Sequence, residues 1–191
     1  MAELADNSGE YDPNRRLEDF SKGFLIELMR EYARAYLAMD GFWNAEVARR
    51  IGYDAAMDCE EAVWKRIANY MLPRLARLTN ISLPAADVLE AMKVLQLSPD
   101  DVNPDIYKTE RSIEDRNHVV VTIARCNTLE WFEENAPDRI ATLCQRVEVA
   151  AIKEYYRVMN PNVKCDVLKI PPREGPDEIA CQWGFRLESG D

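Results

Sequence analysis

The sequence predicts an α+β fold in which an N-terminal helical portion packs on a small antiparallel sheet made from two hairpins. Three observations predict it. Apolar residues recur at three- and four-residue steps through residues 17–97. Two strand-like stretches bracket a short connection after Pro99. The final stretch alternates, with Ile179, Cys181, Trp183, Phe185 and Leu187 on one face and Ala180, Gln182, Gly184, Arg186 and Glu188 on the other. The second half therefore reads ββααββ, as hairpin–helices–hairpin over residues 106–188.

Residues 1–14 are polar and poor in apolar content, and read as a disordered tail before a single domain over 15–188. From Leu17 a helical face gathers Phe20, Phe24, Leu25, Leu28, Tyr32, Ala35 and Tyr36. Met39-Asp40-Gly41 predicts a break, with Gly41 as a left-handed cap and a short second helix ending at Gly52. Asp58-Cys59-Glu60-Glu61 has the spacing of an acidic capping box, opening a helix through Trp64 and Leu78 that Pro73 should kink. Ser82 and Pro84 are expected to open the next helix, through Val88 and Leu95. Residues 98–105 read as a loop. Strands follow at Tyr107–Ile113 and His118–Arg125. Helix returns over 127–159, divided near Pro137, before a second hairpin of Val163–Ile170 and Glu178–Glu188.

Charge and cysteine usage exclude several function classes. With 24 basic and 34 acidic residues the formal charge is −10, and no basic cluster is dense enough to release counterions from nucleic acid. The same balance argues against an anionic membrane surface, and no apolar run reaches the roughly 18 residues that span a bilayer. The N-terminus has neither the basic cap nor the apolar centre of a signal peptide, so a cytoplasmic location is expected. Five widely spaced cysteines in such a chain read as thiols rather than a disulfide framework.

Two constellations can carry chemistry. Cys126, Cys144, Cys165 and Cys181 lie in or beside the strands and helices of the second half, and four converging thiolates would hold zinc or an iron–sulfur cluster. No C-x-x-C pair pre-forms half of such a site, and buried thiols also serve as small core hydrophobes. Whether Cys165 shares the face of Cys181 depends on hairpin register. The second constellation is a ligand pocket built from Asp40, Trp43, Trp64 and the only histidine, His118. Against it, Asp40 can simply shape a turn, aromatics at helical spacing are commonly core, and His118 can sit at a strand edge. His118 and Cys126 are about 26 Å apart along one strand, so they form no dyad within it.

Several of these residues carry a resemblance. Tyr36-Leu37-Ala38-Met39-Asp40-Gly41-Phe42-Trp43, Ala55-Ala56-Met57-Asp58 with Val63-Trp64, and Cys181-Gln182-Trp183-Gly184-Phe185 resemble an uncharacterised family of bacterial and archaeal cytosolic proteins. Members usually place a cysteine directly before the Pro171-Pro172 pair, where this chain has Ile170. The order of elements is similar, more distantly, to TRAPP-subunit and 4-vinyl-reductase-type domains and to L-2-amino-thiazoline-4-carboxylic acid hydrolase-like proteins. That resemblance implies small-molecule binding, a cysteine-bound metal and a homodimer. The expected function is a small-molecule-binding domain with a cysteine-held metal. The alternatives are a hydrolase of a small sulfur- or nitrogen-containing compound, using a cysteine with His118 or Asp40, and a dimeric interaction scaffold.

Overall fold

Side-chain caps open three of the helices, and two residues with positive φ, Gly52 and Asn80, end the first two. Ser21 accepts the Phe24 amide at 3.2 Å and opens α1 (Lys22–Ile51). Gly52, at φ 98°, ends it and leads directly into α2 (Tyr53–Thr79), which stops at Asn80, at φ 56°. These assignments come from a computed structural model that describes residues 3–188.

Two sequence expectations are corrected here. Gly41 does not break the first helix: α1 runs through it for 30 residues. A helical glycine costs only about 1 kcal/mol against alanine, and the packing of α1 along α2 and the 99–102 turn outweighs it. Asp58 is not a cap either. It lies inside α2, where it pairs with Arg146 from the second half of the chain. Pro73 is carried within α2, which continues beyond it.

The next helix, α3 (Val88–Leu95), opens later than Ser82 and Pro84 predict. Its cap is Asp87, which accepts the Glu90 amide at 2.8 Å while Glu90 accepts the Ala86 amide at 2.8 Å. The stretch read as a loop after it contains one helical turn, α4 (Pro99–Val102). Asn103, fully buried, holds that turn in place by donating to the Arg30 carbonyl of α1 at 3.2 Å.

The sheet is as the alternation predicts, with β1 (Tyr107–Asp115), β2 (His118–Cys126), β3 (Val163–Lys169) and β4 (Cys181–Leu187). It is antiparallel, in the order β1-β2-β4-β3, so the two hairpins join through β2 and β4. Register pairs Val121 with Trp183, Val119 with Phe185 and Cys165 with Phe185, which puts all of these on one face. That face is covered by helix. Tyr156 stacks on Phe185 with ring centroids 4.0 Å apart, and the main core joins Val119, Val121, Trp183 and Phe185 to Leu72, Val88 and Met159.

Between the hairpins lie α5 (Asn127–Asn135), a 3-10 turn at Pro137–Arg139, and one continuous rod. The rod consists of α6 (Ile140–Thr142), a π-helical turn (Leu143–Glu148) and α7 (Val149–Met159). At the N-terminus, residues 1–2 of the expected tail lie outside the described residues. Leu4 bridges to Phe20, donating to Asp19 at 2.8 Å and accepting from Ser21 at 2.8 Å. Among the described residues no helix is long and apolar enough to cross a membrane.

Candidate functional site

The inner sheet face and the rod do not meet everywhere. Between them lies a cavity of about 220 Å³. Thr109, Arg111, Val121, Ile123, Cys181 and Trp183 wall it from the sheet; Leu129 and Phe132 come from α5, and Leu143, Cys144, Ala151 and Tyr155 from the rod. Trp64 reaches it from α2, and Met92 and Leu95 from α3. Most of this wall is apolar.

Two carboxyl groups are set into it, Asp100 from α4 and Glu148 from the end of the π turn. Both are only partly exposed, yet burial pushes each carboxyl up to about 7, helped by the other carboxylates. Asp100 is raised further by Asp101 and Asp40, and Glu148 by Asp100 and Asp40. No cation or hydrogen bond offsets either shift. Arg111 lines the same space, but its guanidinium is engaged by Asp101 at 2.7 and 2.5 Å.

The acidic group extends outward past Trp64. Burial raises Asp40, with the Trp64 side chain pulling the other way. Glu60, buried in α2, is pushed up to about 8 by burial and then by Asp40 and Glu148, although Asn44 donates to it. Tyr36 packs edge-on against Trp64 at 6.0 Å, and its phenol is raised by burial, Asp100 and Asp40. Four carboxyls on four segments thus share one field.

Tyr155 adds a different kind of group. It is 8 % exposed, lines the cavity, and its hydroxyl has no hydrogen-bond partner. Burial raises its phenol most, followed by the charges of Asp100, Tyr36, Glu148 and Asp40. Tyr107 lines the cavity too and is likewise raised by burial and Asp100.

The residues singled out from sequence are divided by this geometry. Trp64 lines the cavity and Asp40 stands beside it. Trp43 lies outside it, 38 % exposed on α1. His118 is at the far end of β2, where its Nδ1 lies 2.8 Å from Glu114 and its neighbours are Arg186 and Glu188. Among the cysteines, Cys126, Cys144 and Cys181 share the cavity wall. Cys165 has the same sheet face as Cys181 but sits opposite Phe185, four residues further along β4 and so about 13 Å away.

Burial pushes all four thiols up: Cys181 to about 11, Cys126 and Cys165 to about 12, and Cys144 further. Two have structural roles. Cys126 caps α5 by accepting the Leu129 amide at 3.3 Å, and Cys181 accepts the Trp183 indole N–H at 3.2 Å. Among the described residues no group of three or more His, Cys, Asp or Glu side chains is placed to hold a metal ion.

Sequence reasoning missed Asp100, Glu148 and Tyr155. Glu148 had a signal, as the one charged residue in the apolar run Val147–Ile152. Asp100, in a segment rich in aspartate and proline, had none.

Sheet, rod and cavity define an α+β domain with an interior, acid-lined apolar chamber. Residues 18–187 match a family of unknown function, DUF6125, and the chain belongs to that family. No curated protein matches it.

Proposed function

We propose that this chain is a small-molecule-binding domain whose ligand occupies the cavity between the sheet and the rod. The observation that carries this reading is the chamber itself, apolar in most of its wall and with a few polar groups turned inward, as ligand sites are built. Its volume exceeds the roughly 150 Å³ of an engineered cavity that takes up benzene. A cysteine-held metal draws support from three thiols on one wall but none from their spacing.

Ligand-observed NMR with single-ring compounds tests the proposal. Wild-type protein should bind several of them. Ala151→Leu, which extends a side chain into the chamber, should fold and lose that binding. Equal binding by the variant, or none by the wild type, would refute the reading.

A second reading, the dimeric scaffold, rests on a separate observation. Met29, Tyr32, Met39 and Phe42 are 54–75 % exposed on one side of α1, an unusual density of large apolar groups facing water. We assign that stripe to contact with a second copy of the chain. Solution mass by light scattering should show a dimer that Phe42→Glu converts to monomer; a wild-type monomer would dispose of this reading.

A further inference from the structure

The chamber's chemistry narrows what it accepts. Asp100 and Glu148 face it with no cation or hydrogen-bond donor set against them, and the one arginine on the wall is already paired with Asp101. The Tyr155 hydroxyl, in a residue 8 % exposed, has no partner inside the protein. A buried polar group without a partner carries an energetic penalty; the Tyr155 hydroxyl is one, and its residue lines the same cavity as the partly exposed carboxyl residues Asp100 of α4 and Glu148 of the π turn. Resting on the reading of the chamber as a ligand site, we infer that its ligand is a primary amine with an apolar body of about one ring, its ammonium held by Asp100, Glu148 and Tyr155.

The stoichiometry fits. An ammonium offers three donors and no acceptor, and each of these three side chains can supply an acceptor oxygen to one of them. The apolar wall from Val121, Ile123, Leu129 and Phe132 then covers the body of the molecule. An anion would enter a space already crowded with negative charge. Calcium or magnesium would need about six or more oxygen ligands and zinc about four donors, and no cluster of the described residues supplies them.

Thermal denaturation of the full chain with three matched probes tests this: 2-phenylethylamine, its neutral analogue 2-phenylethanol, and 3-phenylpropionate as the anion. A ligand that binds only the folded state raises the midpoint by an amount that grows with the logarithm of its concentration over its Kd. The amine should bind roughly tenfold or more tightly than the alcohol, and the anion should give no shift. In the Asp100→Asn/Glu148→Gln double variant the amine should fall to the level of the alcohol, whose shift is retained. Tyr155→Phe should weaken the amine more than the alcohol. If the alcohol matches the amine on wild-type protein, the charge inference fails and the chamber remains a ligand site. If none of the three shifts the midpoint, both readings fall. A larger shift with calcium, magnesium or zinc chloride alone would replace the organic cation with a metal.

Discussion

Arg173 closes on Glu133 with two parallel hydrogen bonds, Nε to Oε1 at 2.7 Å and Nη2 to Oε2 at 2.8 Å, and its side chain is only 4 % exposed. The same guanidinium donates to the carbonyls of Pro176 and Glu178 at 3.1 and 2.8 Å. One side chain thereby fastens the β3–β4 connection to α5, and that connection brings Ile170, Pro171 and Ala180 to the chamber.

Arg173→Ala should therefore destabilise the fold by about 2 kcal/mol, somewhat less than breaking a fully buried pair costs, because Glu133 keeps partial hydration. Urea unfolding measures the loss. Hydrogen exchange should quicken first in residues 171–180, ahead of β1. Uniform quickening would show that the pair supports the whole domain rather than this connection.

Stability should fall as the pH rises from about 5 to about 8. Asp40, Glu60, Asp100 and Glu148 all bind their protons more tightly when folded than a solvated carboxyl does. In that interval the unfolded chain has released protons that the folded chain still holds, so each rise in pH favours unfolding. Above the folded values, about 7 for Asp100 and Glu148 and about 8 for Glu60, the contribution is gone. Asp100→Asn should flatten the profile and stabilise the protein by on the order of 1–3 kcal/mol at the alkaline end. Denaturation midpoints across the range check this, and a rise in stability toward pH 8 would contradict it.

Cys126, Cys144 and Cys181 should react slowly with iodoacetamide at neutral pH, since the thiolate is the reactive form and burial disfavours it. Peptide mapping by mass spectrometry gives each rate. Rapid alkylation of any of the three in folded protein would show that the chamber is more open than its walls imply, and would revive a cysteine nucleophile.

Cys126→Ser should be neutral or stabilising, whereas Cys126→Ala should cost about 1 kcal/mol. A serine hydroxyl accepts the Leu129 amide better than sulfur does, and alanine abolishes the cap. Equal midpoints for the two variants would remove the capping role.

Much of the fold was legible because its signals are local. The alternation of Cys181, Trp183 and Phe185 predicts a strand with one buried face, and that face is the one packed on the rod. Helix boundaries were less legible because several residues compete for them. Gly41 and Gly52 look alike in sequence, yet only Gly52 takes positive φ. The choice was settled by how far α1 must run beside α2. Trp64 and three of the thiols were found as candidates, since large aromatics and cysteines stand out by type. Asp100 and Glu148 did not stand out among 34 acidic residues, and what distinguishes them is burial beside other carboxylates once the chain is folded.

The wide turn at Leu143–Glu148 has a further consequence for how the molecule is wired. It holds one residue more than an α-helical turn, and one residue is worth about 100° of rotation about the axis. A single rod can thus address two neighbours that an unbroken helix could not serve together. Leu143 and Val147 dock with Ala56 and Met57, while Tyr155, Tyr156 and Met159 key into the sheet's core. Deleting one residue there would leave both ends helical but turn one of them away from its counterpart, so insertions and deletions in this stretch should be tolerated far less than substitutions.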